Sequence, residues 1–380
     1  MEKAPDQKLE NQKILFANRL TKQYRILRKW ARKNRVSCYR LYDRDIPEIP
    51  LCLDMYTFVP EGVRDKHQNL IQLQEQNAAI SQNDAYSNQI LREEKDRTYI
   101  HMYLYERPYE KDPEEERLWL GEMVKTASQT LEIEESHIIT KTRKKLSGNE
   151  NGRTEQYDKI EGVEIVKGIV QEQGQLFYVN LSEYLDTGLF FDHRPLRDMV
   201  RSSCAGKSVL NLFCYTGSFS VYAAEGKARR VESVDMSKTY LEWAKENMRL
   251  NGFEEGEKYV FTRQDAVGFI NQKNAEVPNK EGTNRFDIII LDPPTFSNSK
   301  RTDTTLDINR DWSVLVNKCL NILKPKGILY FSTNSRRLTF DSSLLNCPSH
   351  GEIDVRDISG QTVPEDYRNA KIHRTWKMQV

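Results

Sequence analysis

The chain has 380 residues, 38% hydrophobic and 30% charged, with 57 Lys and Arg against 56 Asp and Glu for a formal charge of +1. At roughly 150 residues per domain this predicts two or three structural units with enough apolar side chains for cores, which excludes a single small module and wholesale disorder. The longest apolar runs, such as Ile288-Ile289-Ile290-Leu291, fall far short of the ~20 residues of a membrane span, and the polar opening Met1-Glu2-Lys3-Ala4-Pro5-Asp6 lacks the apolar core of a secretory signal, so a cytoplasmic protein is expected.

Residues 11–35 carry nine basic side chains (Lys13, Arg19, Lys22, Arg25, Arg28, Lys29, Arg32, Lys33, Arg35) and no acid. Within them Phe16, Leu20, Tyr24, Leu27 and Ala31 recur at intervals of three and four, which predicts an amphipathic helix with one apolar stripe and cationic remaining faces. A merely solvated helix mixes signs to relieve self-repulsion. This one does not, so contact with RNA or DNA phosphates is favoured, through Arg19, Lys22, Arg25, Arg28 and Lys29. Residues 1–35 are expected to form a helical extension.

Short β-branched and aromatic runs then predict strands at 36–42, 51–59, 99–105, 137–142, 163–170 and 175–179. A Gln- and Asn-rich stretch at 67–88 reads as helix or ordered insertion. Pro113, followed by three glutamates, opens a predicted helix that runs to Thr130. A second basic cluster, Lys141, Arg143, Lys144 and Lys145, precedes a polar loop at 147–153, and Arg143, Lys144 and Lys145 extend the candidate RNA contacts. Residues 36–184 thus read as a small α+β domain with an accessory, RNA-binding role.

From about Gly188 the rhythm changes. Strands are predicted at 207–213, 230–234, 259–263, 286–291 and 327–333, alternating with helices at 218–224, 238–250, 266–271 and 311–323. Such alternation specifies an α/β fold over 185–380, a parallel sheet covered by helices that takes its ligand at the strands' carboxyl ends. The six cysteines have no zinc-site spacing and read as small buried side chains, so neither a metal nor a disulfide is expected.

The first of these strands runs through Asn211 and Phe213 into Tyr215-Thr216-Gly217, with one glycine where a dinucleotide fingerprint places three. A pyrophosphate needs several glycines to close backbone around it; S-adenosylmethionine has no phosphate, and one is sufficient. Eighteen residues later the second strand delivers Asp235, with Met236 and Ser237, where a carboxylate can accept from two ribose hydroxyls. The third delivers Asp265 and Ala266, placing an acid where it can meet the adenine amino group. Singly, each acid is more often a helix cap. Three at successive strand ends resemble the class I S-adenosylmethionine-dependent methyltransferases, with a Rossmann-like sheet. The fourth strand adds Asp292-Pro293-Pro294, an acid in a turn stiffened by two prolines.

The resemblance narrows further. Leu291-Asp292-Pro293-Pro294-Thr295-Phe296-Ser297-Asn298-Ser299-Lys300-Arg301 and Leu185-Asp186-Thr187-Gly188-Leu189-Phe190-Phe191-Asp192-His193-Arg194 are similar to the C-terminal half of the fused bacterial ribosomal RNA large-subunit methyltransferases K/L. So are Tyr215-Thr216-Gly217-Ser218-Phe219-Ser220, Lys371-Ile372-His373 with Trp376, Phe16-Ala17-Asn18-Arg19-Leu20 and Cys38-Tyr39-Arg40-Leu41-Tyr42-Asp43, so nearly the whole chain is covered. The resemblance implies transfer of a methyl group to guanine N7 in 23S rRNA or a large-subunit assembly intermediate. The RNA-binding module and the guanine-N2 methyltransferase that precede this half in the fused proteins are not present in the sequence, which leaves open whether a separate partner supplies the latter. By the same resemblance His193 and Arg194 border the cofactor, with Arg194 able to pair with its carboxylate; a structural ion pair with Asp192 or another acid is the competing reading. His373 reads as packing.

Guanine N7 has an in-plane lone pair and no proton, so transfer needs alignment and no general base. In this reading Asp292, set by Pro293, stabilises the cationic transition state, Phe296 stacks on a base drawn from its helix, and Lys300, Arg301 and Arg310 hold flanking phosphates. The competing readings are cytosine C5 methylation, which needs a thiolate where Ser332 to Ser335 offer none, guanine N2 methylation, disfavoured by the interposed Thr295, and an rRNA-binding assembly factor without turnover.

Overall fold

The structure, a computed structural model, describes residues 5–80, 85–105, 111–143, 164–276, 285–297, 305–349 and 351–380. Lys144, Lys145, Lys300, Arg301, the loop 147–153 and the side chain of Arg143 lie outside the described residues. The chain divides into two compact units, Met1–Thr187 with Asp366–Arg368, and Gly188–Glu365 with Asn369–Val380.

The first unit holds α1 (Pro5–Lys33), β1 (Cys38–Asp43), β2 (Leu51–Thr57), α2 (Lys66–Ile80), α3 (Ala85–Asp96), β3 (Thr98–Tyr105), α4 (Pro113–Leu131), β4 (Ile138–Arg143), β5 (Lys167–Glu172) and β6 (Gln175–Asn180). Strands β1 to β4 form a sheet in sequence order, antiparallel except for β3 with β4. Strands β5 and β6 form a hairpin whose turn residues Gln173 and Gly174 both take left-handed φ, 50° and 88°, matching the twist of the strands. Helix α4 starts where Asp112 accepts the Glu114 and Glu115 amides at 3.0 Å, with Pro113 in the first turn. It ends at Glu132 in a left-handed conformation. The polar stretch at 67–88 falls largely on α2 and α3.

The predicted extension is corrected by packing. Phe16, Leu20, Leu27 and Ala31 are buried in one core with Leu41, Met102, Met123 and Ala127, and the Phe16 ring meets Tyr42 edge-on at 5.1 Å. Burying this stripe, at roughly 1.5–3 kcal/mol for each large side chain, makes α1 part of the unit's core. The segment Asp366–Arg368 joins the same unit because the Arg40 amide donates to Asp366 at 3.0 Å and the Arg40 guanidinium lies 4.4 Å from the Tyr367 ring.

The second unit holds α5 (Arg194–Ser203), β7 (Ser208–Leu212), α6 (Ser218–Glu225), β8 (Arg230–Asp235), α7 (Lys238–Leu250), β9 (Tyr259–Arg263), α8 (Ala266–Glu276), β10 (Phe286–Leu291), β11 (Phe296–Ser297), β12 (Leu306–Asp307), α9 (Ile308–Asn321), β13 (Leu323–Thr333), β14 (Asp354–Asp357), α10 (Ser359–Thr362) and β15 (Arg374–Gln379). Its sheet runs β14-β15-β13-β10-β7-β8-β9. The five strands from β13 to β9 are parallel, β15 pairs antiparallel with β13, and the edge strand β14 pairs antiparallel with β15. Residues Ile288 to Leu291 of β10 are almost wholly buried, as a central parallel strand covered on both faces requires. Strand order reverses between β7 and β10, so the carboxyl ends of these two strands flank the crevice where such sheets bind ligands. Among the described residues, no helix is long and apolar enough to cross a membrane.

Candidate active site

The turn after β7 is made by backbone conformation. Phe213, Tyr215 and Gly217 take left-handed φ of 55°, 50° and 75°, which turns the chain from β7 into α6. Gly217 is required there because of its φ and because a Cβ would lie 2.8 Å from the Ala244 Cβ on α7. Asp235, at the tip of β8, pins the turn by accepting the Tyr215 amide at 3.0 Å and the Ser237 amide at 2.9 Å. The Thr216 hydroxyl donates to the Gly188 carbonyl at 2.5 Å, and the Thr216 carbonyl accepts from the Asn247 amide at 2.9 Å. Tyr215 packs 5.4 Å from Phe190 and meets Tyr240 edge-on at 4.6 Å.

At the next tips the acids double as caps. Ser237 caps α7 through the Tyr240 amide at 3.3 Å, and Asp265 accepts the Gly268 amide at 2.8 Å in the first turn of α8, beside buried Ala266. Met236 accepts from Arg263 through its carbonyl. Burial pushes Asp235 above its ordinary value, while the amides of Ser237 and Tyr215 pull it down. A carboxylate oxygen has more than one lone pair, so Asp235 and Asp265 can accept further hydroxyl or amino donors.

Beyond β10 lies a buried polar relay. The Ser332 hydroxyl, on β13, donates to Asp292, whose side chain is 31% exposed. His193 Nε2 lies 3.1 Å from the same hydroxyl and 3.5 Å from Asp292, and its Nδ1 is 3.4 Å from Asp192. His373 stacks on His193 with ring centroids 4.4 Å apart, contacts Asp192 at 3.0 Å through Nδ1 and Thr362 at 2.9 Å through Nε2. Burial opposes a charge on His193, but the Asp292 and Asp192 carboxylates on either side override it and push its pKa up to about 10. Burial alone would raise both acids. Instead His193 and Ser332 hold Asp292 below the usual carboxylate range, and His193 and His373 hold Asp192 well below it. Asp192, His193 and His373 place ligand atoms within 4.8 Å of one another, a spacing that suits a metal, yet three hydrogen bonds and the His193–Asp192 ion pair already engage the four imidazole nitrogens.

Asp292, Pro293 and Phe296 follow one another off β10. Pro293 is buried, Phe296 is 46% exposed, and Thr295 donates to Asn334 at 2.6 Å, tying the turn to the end of β13. The structure does not bring every candidate to the strand tips. Asn211 is buried and donates to Ser220, which meets Ser233 at 2.7 Å, a polar link inside the β7–α6–β8 layer. Phe213 packs against the apolar core. Arg194 is 2% exposed at the start of α5, 5.7 Å from the Phe191 ring. Arg310 is held at 2.7 and 2.8 Å by Asp311. In the first unit Arg19 is paired with Asp45, whereas Lys22, Arg25 and Lys29 are exposed and without an acidic partner among the described residues. Arg28 is half-buried. Sequence reasoning missed Ser332, Thr362, the role of His373 and the contacts of Asp192 with both histidines. The adjacent Asp192-His193 pair was a signal; the strand pairing that delivers Ser332 and His373 was not readable.

A model of a family described as S-adenosylmethionine-dependent methyltransferases matches residues 109–350. The chain is 38% identical over 363 residues to ribosomal RNA large subunit methyltransferase K of Neisseria meningitidis serogroup B, covering 96% of this chain and 86% of the relative. It is 36% identical over 365 residues to ribosomal RNA large subunit methyltransferase K/L of Pseudomonas fluorescens, covering 96% of this chain but 40% of that longer relative. A solved structure of SMU.776, described as a methyltransferase complexed with SAH, superposes with a TM-score of 0.65 at 20% identity, over 97% of this chain and 82% of that one, a likeness of fold alone.

Proposed function

This chain belongs to the S-adenosylmethionine-dependent methyltransferase family, and from that premise we propose that it methylates 23S ribosomal RNA of the large subunit at N7 of a guanine. The names of the similar proteins support the substrate class. The position rests on the state of Asp292. A carboxylate held ionised by a hydroxyl and an imidazolium is a poor proton acceptor, so the site suits a nucleophile that has no proton to lose. Guanine N7 is one. An exocyclic amine must shed a proton, and cytosine C5 needs a thiolate.

The described residues disfavour that thiolate. All six cysteines are buried, and burial pushes the thiols of Cys214 and Cys319 up, away from the ionised form.

The donor's chemistry fits the site. The β7 turn offers a single glycine and no phosphate cradle, and the adjacent tips offer acceptors for hydroxyl and amino groups. S-adenosylmethionine, when bound, supplies an electrophilic methyl group on a cationic sulfur. Tyr215, Thr216 and Gly217 would line it with backbone, Asp235 and Asp265 would accept from its ribose and adenine, and Asp292 would provide the counter-charge. In this reading Phe296 stacks on the target base, and Lys22, Arg25 and Lys29 of α1 hold phosphates of the same RNA.

Mass spectrometry of rRNA nucleosides from a deletion strain and its parent tests this. Loss of one 7-methylguanosine, restored by the wild-type gene and not by an Asp292→Ala variant, is the expected result. Loss of 5-methylcytidine or N2-methylguanosine instead would overturn the assignment.

A further inference from the structure

Helix α1 carries a second basic row besides the exposed one. Arg28 and Arg32, one turn apart, line a cavity of about 330 Å3 within the first unit, together with Arg35 just past the helix end and Arg97 just past α3. Charge in this cavity is lopsided. Arg32 is matched by Glu94 at 2.8 Å, whereas Arg28 lies 5.7 Å from the Tyr24 ring, and neither Arg28 nor Arg35 has an acidic partner among the described residues.

Two lining atoms are also unmet. Arg28 Nε and Asn69 Nδ2 are buried donors with no hydrogen-bond partner among the described residues, and Asn69 is only 2% exposed. Buried donors left unmade are costly and rare, so an acceptor belongs there. The rest of the lining mixes aromatic and apolar side chains, Tyr39, Phe58, Leu70 and Leu73 among them, with polar Gln74, Gln76 and Gln171. A volume at the lower end of the roughly 300–1,000 Å3 range of small-molecule sites has room for one nucleotide and not for a strand.

We infer that this cavity binds a single nucleotide, with its phosphate against Arg28 and Arg35, its base against the aromatic wall, and a base acceptor on Asn69 Nδ2. The nucleotide is either free or one unpaired residue of an RNA. Only the second source rests on the proposed function.

Calorimetric titration of the full chain with each of the four 5′-monophosphates and with inorganic phosphate covers the first source. Crosslinking of 4-thiouridine-substituted large-subunit rRNA, mapped by peptide mass spectrometry, covers the second. A monophosphate binding at least tenfold more tightly than phosphate, or crosslinks on peptides holding Tyr39 or Phe58, is expected. Either signal should fall at least tenfold in Asn69→Leu, which fills the space, and in Arg28→Gln, while affinity for S-adenosylhomocysteine, measured in the second unit, stays constant. Should Asn69→Leu fail to fold, the near-isosteric Asn69→Asp, which replaces the donor by an acceptor, carries the same expectation. Absence of both signals, phosphate binding as tightly as every nucleotide, or signals that survive these substitutions would overturn the inference. An enzyme that methylates rRNA with this cavity unengaged would overturn this inference and leave the proposed function standing.

Discussion

Replacing His193 by Gln removes an imidazolium from between Asp192 and Asp292 and leaves their carboxylates facing each other across a neutral amide. Lifting an imidazole from an unfolded value near 6.5 to about 10 corresponds to about 5 kcal/mol at 1.36 kcal/mol per pH unit. Removing one member of a buried ion pair costs the same order, roughly 3–5 kcal/mol. Because the folded-state pKa lies above the unfolded one, this stabilisation is complete below about pH 6.5, shrinks as pH rises and is gone above about pH 10. At pH 7 about 4 kcal/mol remains, and at pH 9 about 1.4. Water reaching Asp292, 31% exposed, screens part of it and favours the lower end of each figure. Urea unfolding read by pulsed alkylation of Cys214 and Cys319, buried in this unit, measures it without interference from the other. His193→Gln is expected to be about 3–4 kcal/mol less stable at pH 7 and no more than about 1.5 at pH 9. An equal gap at both pH values, or no gap at pH 7, would show that His193 is not a buried cation.

The regular part of the fold was legible because periodicity reports burial directly. The predicted helix at 238–250 and strands at 259–263 and 286–291 coincide with α7, β9 and β10, each a run whose apolar spacing has one reading. That five strands of the second unit's sheet run parallel followed from alternation, whereas their order in the sheet did not. What escaped depended on contacts remote in sequence. Strand β15 alternates through Trp376 and Met378, but only pairing with β13 and β14 makes it a strand. Helix α5 is ten residues of mixed charge that its buried Leu196 and Val200 hold in place. In the site, the placement of Asp235 and Asp265 at strand tips was visible because a strand followed by an acid is a local pattern. Ser332 and His373 were not, since each meets His193 only through the sheet, 139 residues away for Ser332. The Asn211 hydrogen bond was hidden for the same reason: its neighbours Ser220 and Ser233 come from two other elements.

Three further perturbations probe separate parts of the molecule. Gly217→Ala imposes a Cβ at left-handed φ and 2.8 Å from Ala244, which should lower stability by about 2–5 kcal/mol and abolish binding of the methyl donor. Gly252→Ala, left-handed but in open space, should cost only about 1–2 kcal/mol and leave donor affinity unchanged, so equal losses in thermal melts would show that packing against Ala244 is not the cause. Phe296→Ala should leave stability and donor affinity intact while lowering kcat/KM on rRNA by about 5- to 150-fold, the worth of one stacked base, with Trp restoring it; an unchanged kcat/KM would rule out stacking. The exposed row Lys22, Arg25 and Lys29 lies opposite the buried stripe of α1, so changing all three to Ala removes charge without touching the core and raises helix propensity. Each phosphate these residues neutralise releases a condensed cation, and the logarithm of RNA affinity should therefore fall less steeply with the logarithm of salt, by roughly 0.7–0.9 for every phosphate no longer neutralised, or about 2–3 for the triple variant. Arg117→Ala is the matching control, an exposed cation already bound by Glu114 at 2.6 Å. It should leave that slope unchanged. A triple variant with the parent's slope would place the RNA on some other face, even if its affinity at one salt concentration fell, because only the slope counts the ions displaced.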